Sequence, residues 1–185
     1  MRALLSGAVL FAVVASAGVA QAQTREQIAS AVRACFSYAF GVEPEDGGLT
    51  PEEASLSYFE QEVASDGDVY NRYRSPDGVV WMSRVTDWRS DGAEHFTCNM
   101  TLNGPHYDAA LATVNLLIEE LGLPMGAPEV HPTIRDTDRT RRQSWLSDEA
   151  WDIHAISIND LPASAQYPRG AVSISLDLGV NPPEY

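Results

Sequence analysis

Apolar residues between Thr24 and Phe40 recur at three-four spacing, with Ile28, Ala31, Val32, Cys35, Phe36, Ala39 and Phe40 on one stripe. That period predicts an amphipathic helix closed by Gly41. Pro44, Gly47 and Gly48 mark a loop, and Thr50, Pro51, Glu52 and Glu53 carry the N-cap, first-turn proline and capping-box glutamate of a second, shorter helix. Its far end is open, because Leu56, Tyr58 and Phe59 fit no single period and residues 55–63 read equally as strand.

The period then changes to two. Strands are predicted over Val69 to Arg74, Val79 to Trp88 and Glu94 to Leu102, with turns at Ser75-Pro76-Asp77-Gly78 and Ser90-Asp91-Gly92. In the last strand Phe96, Cys98, Met100 and Leu102 alternate with His95, Thr97, Asn99 and Thr101. Pro105 to Leu121 returns to helical spacing through Tyr107, Ala110, Leu111, Val114, Leu117, Ile118 and Leu121, and Gly122 and Pro124 stop it. Three prolines, at 124, 128 and 132, lead into extended segments over Thr133 to Leu146, Trp151 to Asp160 and Ala171 to Leu178. The last alternates Val172, Ile174, Leu176 and Leu178 with Ser173, Ser175 and Asp177, as a sheet with one wet face requires.

These elements predict an α+β domain with an antiparallel sheet of five to six strands and two to three helices on one face. Each half of the order reads loosely as a helix followed by strands, without a residue-level repeat. Trp81, Trp88, Trp145 and Trp151, with Tyr70 and Tyr73, fall on strands and are expected mainly in the core.

The N-terminus follows neither period. Arg2 precedes an uncharged apolar run from Ala3 to Val19, and Ala20-Gln21-Ala22 is a small-x-small cleavage site. Residues 1–22 therefore read as a secretory signal peptide, and residues 23–185 as one domain in the periplasm or outside the cell. Its interior small residues disfavour an uncleaved anchor, and no later apolar run approaches membrane length.

Export changes the reading of the two cysteines. Cys35 lies on the apolar stripe of a helix and Cys98 on the apolar side of a strand, so a bridge between those elements is expected in an oxidising compartment. No Cys-x-x-Cys motif suggests redox activity.

Charge narrows the partners. The chain carries 26 acids and 12 basic residues, all arginine, for a net charge of −14. Such a surface repels nucleic acid and anionic membranes. The acids concentrate between Ala34 and Asn71, where Glu43, Glu45, Asp46, Glu52, Glu53, Glu60, Glu62, Asp66 and Asp68 occur without an arginine. A solvated face explains them better than a docking patch for a basic protein.

Candidate chemistry is sparse. The Gly-x-Ser-x-Gly, His-Glu-x-x-His, phosphate-loop and Ser-x-x-Lys motifs are all missing. His154 with Asp152, and His106 with Asp108, are the pairs from which a small hydrolase-like envelope enzyme would draw its acid and base. His95 and His131 have no ligand spacing, and Asp66, Gly67, Asp68 and Asn71 lack the distal glutamate of a calcium loop. No metal or other cofactor is expected. Arg135, Arg139 and Arg141 alternate with Asp136 and Asp138, so an extended chain would present three guanidinium groups on one side, suited to a carboxylate or sulfate. The expectation is an exported, disulfide-stabilised, non-catalytic protein that binds another protein or a small anionic ligand, with an envelope enzyme or an accessory subunit of an envelope complex as the alternatives.

Overall fold

The computed structural model describes residues 24–65, 67–88, 94–131, 141–147 and 152–180, without the side chains of 87, 88, 94, 95, 130, 131, 152–154, 179 and 180. The expected signal peptide lies outside these residues.

Helix α1 (residues 24–40) buries the stripe its spacing predicts: Ile28, Ala31, Val32, Cys35, Phe36 and Ala39 are all inaccessible to solvent. Gly41 adopts φ +63°, which lets the amide of Val42 reach back to the carbonyl of Ser37 and closes the helix in a glycine-type C-cap. A short 3-10 turn, Pro44–Asp46, follows.

The second helix expected at Thr50 does not form. Its capping box is present, with the Thr50 amide donating to Glu53 Oε2 at 2.9 Å and the Glu53 amide to Thr50 Oγ1 at 3.2 Å. It closes one turn only, because Ser55 enters the left-handed region at φ +59° and the chain continues extended. So short an apolar stretch cannot sustain a helix against the cost of nucleating one. The ambiguous run resolves as strand β1, Ser57–Val63.

Seven more strands follow: β2 (Val69–Arg74), β3 (Val80–Trp88), β4 (Glu94–Asn103), β5 (Glu129–His131), β6 (Arg142–Leu146), β7 (Asp152–Leu161) and β8 (Ala171–Val180). Helix α2, Tyr107–Glu120, lies between β4 and β5. The sheet thus has eight antiparallel strands rather than five or six, in the order β1-β2-β3-β4-β8-β7-β6-β5. Seven have five or more residues, and the edge strand β5 has three. The excess is β1, ambiguous in sequence, and β5, too short to show a period. Among the described residues the α-helices number two.

Each half is a helix followed by a four-stranded meander, and the halves join where β4 and β8 pair over ten residues, from Glu94 opposite Val180 to Asn103 opposite Ala171. Both helices cover one face. Beneath them lie Val80 and Met82 of β3, Cys98, Met100 and Leu102 of β4, Val172, Ile174 and Leu176 of β8, Ile156 and Ile158 of β7, and Trp145 of β6. Arg33 of α1 binds Glu120 of α2 at 2.6 Å and links the helices at their exposed edge.

Cys35 and Cys98 form the expected disulfide, with Cα atoms 5.6 Å apart. It fastens α1 to the middle of the sheet. No helix among the described residues is long and apolar enough to cross a membrane.

Candidate ligand-binding face

The residues that alternate with the core point to the opposite face of the sheet, which no described element covers. Strand register sorts them into rows that run across the strands. One row reads Arg142 (β6), Asn159 (β7), Ser173 (β8), Thr101 (β4), Trp81 (β3) and Arg74 (β2), each paired in register with the next. Five strand spacings of about 4.8 Å separate its ends by roughly 24 Å.

At the β2 end Arg74 is exposed, and its guanidinium lies 5.2 Å from the ring centre of Phe59 and 5.9 Å from that of Trp81. The two rings meet edge to face at 5.5 Å, yet Phe59 is 37% and Trp81 39% exposed. Phe59 reaches this face through a bulge: register shifts between Tyr58 and Glu60, so that Tyr58 pairs with Tyr73 on the covered side while Phe59 joins Trp81 on the open one. A cleft of 410 Å³ adjoins them, bounded by Ser57, Arg74, Ser75, Pro76, Gly78 and Trp81.

Arg74 and Arg142 have no carboxylate within ion-pair distance among the described residues. Their neighbours differ. Arg72, two residues from Arg74 on the same face, binds Glu60 at 2.7 Å and also binds Glu62. Nearby polar groups are satisfied among themselves: two rows away Thr97 Oγ1 donates to Asp177 Oδ1 at 2.8 Å, and Ser175 Oγ of the adjacent row donates to Asp177 Oδ2 at 3.1 Å. Thr101, Ser173 and Asn159 have no such side-chain partner among the described residues, so their hydroxyl and amide groups are open to a ligand. The row is a polar track with a cation at each end and an aromatic platform at one.

The β2–β3 turn holds the platform in place. Asp77 accepts from the Ser75 hydroxyl at 2.6 Å, the Val79 amide at 3.0 Å and Gln27 at 3.3 Å. Burial raises the carboxyl's pKa, but these hydrogen bonds together hold it below the ordinary range. This turn fixes the register that brings Arg74 opposite Trp81.

Arg141, His106 and Asp108, singled out in the sequence, lie elsewhere. Arg135 and Arg139 fall outside the described residues. Arg141 is described, and its guanidinium binds Asp108 at 2.7 Å and Asp160 at 3.1 Å while lying 4.2 Å from the Tyr107 ring centre. It therefore ties the start of α2 to β7. Asp108 is committed to that pair, and His106, the N-cap residue of α2, hydrogen-bonds the backbone of Asn103. His106 and Asp108 are not joined. His154 and Asp152 lie on β7, opposite Leu178 and Val180, with side chains outside the described residues, as are those of His95 and His131. Asp66 is also outside, and the Asn71 carboxamide oxygen accepts from Gln61 at 3.0 Å. No cluster of three metal-ligating side chains occurs among the described residues.

Of the tryptophans, Trp145 is core as expected, whereas Trp81 lies on the open face. Trp151 and the side chain of Trp88 are outside the description. The cationic ends of the row were not apparent in the sequence. Arg74 and Trp81 flank the Ser75-Pro76-Asp77-Gly78 turn, and hairpin register alone was signal enough to place them together. Arg142 carried no such signal.

His106 also makes stability pH-dependent. Burial pushes its pKa below 6.5, the positive charge of Arg169 acts in the same direction, and the Asn103 carbonyl opposes both. Gly104, at φ +114°, leaves room for the ring, since a Cβ there would meet His106 Nε2 at 3.0 Å. The unfolded chain takes up its proton near pH 6.5 before the folded one does, so stability falls as pH drops below that value and levels off under the lowered folded pKa. Urea midpoints at about pH 7.5 and about pH 5.5 should differ less in His106→Asn than in the parent.

Comparison with protein-family models, curated proteins and solved structures finds no match.

Proposed function

We propose that this chain is an exported protein, processed after residue 22, that works in the periplasm or outside the cell by binding a polar ligand non-catalytically on the open face of its sheet. Export is supported by the apolar run 3–19, the Ala20-Gln21-Ala22 site and the Cys35–Cys98 bridge.

The observation that carries the binding reading is the row ending in Arg74 and Arg142. Among the described residues, two guanidinium groups without carboxylate partners, in a chain of net charge −14, flank hydroxyl and amide groups that have no side-chain partner. Electrostatic complementarity favours an anionic ligand there even though the molecule as a whole repels anions, because screening limits distant charges to about 8–10 Å.

The test passes envelope extract of the host over the immobilised processed protein. A component retained by the parent and by Arg169→Gln, but lost from an Arg74→Gln, Arg142→Gln double variant, supports the reading. Equal retention by the double variant, or none by the parent, overturns it.

A further inference from the structure

We infer that the ligand of this face is a linear glycan bearing carboxylates, a uronate-containing chain lying across the strands from Arg142 to Arg74. The inference rests on the binding reading above and adds the class of ligand.

Shape comes first. The row spans roughly 24 Å and crosses six strands, so its occupant is extended rather than compact. Along its middle the side chains are Asn159, Ser173 and Thr101, short groups that each offer a donor and an acceptor. An extended peptide that adds to a sheet as a strand needs a free edge, and the centre of this face, on β4, β8 and β7, lies inside the sheet. A chain of hydroxyl-bearing rings matches a track of mixed donors and acceptors, because every hydroxyl can give as well as take.

The ends supply selectivity. Trp81 and Phe59 present exposed ring surface beside Arg74, a platform for the flat C–H face of a sugar, while the guanidinium fork is placed for a carboxylate on that ring. Arg142 repeats the cationic contact at the far end. The next row carries Glu60 and the row beyond it Glu62 and Asp177, so a polymer with dense charge off the track would meet repulsion. Carboxylates at ring positions, spaced along the chain, fit this pattern.

The experiment uses hexagalacturonic acid as probe and neutral cellohexaose as its uncharged counterpart, with binding to the processed protein followed by titration calorimetry. Saturable binding of the hexauronate is expected, at least about tenfold tighter than that of cellohexaose. Arg74→Gln and Arg142→Gln should each weaken it about tenfold and reduce its salt dependence, and Trp81→Ala should weaken it without changing the salt dependence. If hexagalacturonate does not bind, if cellohexaose binds as well, or if both arginine variants bind like the parent, the glycan assignment fails. Should an extract component still be retained in an Arg74- and Arg142-dependent way while the hexauronate fails, the binding face stands and only the ligand class is overturned; a protein or peptide so retained identifies the alternative.

Discussion

Replacing Cys35 and Cys98 together by alanine lowers the unfolding free energy by about 4 kcal/mol and the thermal midpoint by roughly 8–16 °C. The bridge closes a loop across a sequence separation of 63, and in the chain-entropy account a loop of this size restrains the unfolded ensemble by that amount. Both cysteines are fully buried, so the thiols of a reduced protein would remain packed and the main loss is the tie itself. Calorimetry of the parent, the double variant and the parent unfolded in reductant checks this, and the last two should agree. A shift under about 3 °C would mean that α1 is held almost entirely by its apolar stripe.

Truncating Phe36 to alanine should cost about 3–5 kcal/mol, read as a lower urea midpoint at unchanged slope. Phe36 is the largest fully buried side chain among the described residues, its ring centre is 5.4 Å from that of Phe40, and it adjoins Cys35 on the stripe. Its neighbour Cys35, fastened to β4 through Cys98, limits how far the cavity can collapse. Leu116→Ala is the control: Leu116 is 58% exposed on α2, and its loss should stay within about 0.5 kcal/mol. Combining Phe36→Ala with the cysteine double variant should give a non-additive result, because both act on the docking of α1.

Where the hydrophobic period was long and clean, the sequence led directly to structure. Helix α1, helix α2 and strands β2, β3, β4 and β8 lie within a few residues of their expected limits, and the alternation of residues 94–102 and 171–178 placed Cys98 correctly on the covered side. The second helix failed because a capping box specifies how a helix starts, not whether an apolar stripe follows to sustain it. The open-face row was hidden for a different reason. Its members come from six strands, and although Arg74, Trp81 and Thr101 join through hairpins, the two halves of the row meet only where β4 pairs with β8, a pairing no turn specifies. Trp81 illustrates the limit, since a large aromatic on a strand is ordinarily core and only the register shows which side is wet.

The β4–β8 seam sets an order of assembly. For a chain delivered amino end first, the first meander can gather and its thiols can oxidise as soon as residue 98 has emerged, but the outer hydrogen-bonding edge of β4 stays bare until residues 171–180 arrive. During that interval an otherwise finished half-molecule carries a ten-residue adhesive border, the kind of edge that invites association with another copy. Sealing of that border thus waits on the arrival of residues 171–180, and a chain truncated before residue 171 would leave an oxidised first half with its edge bare.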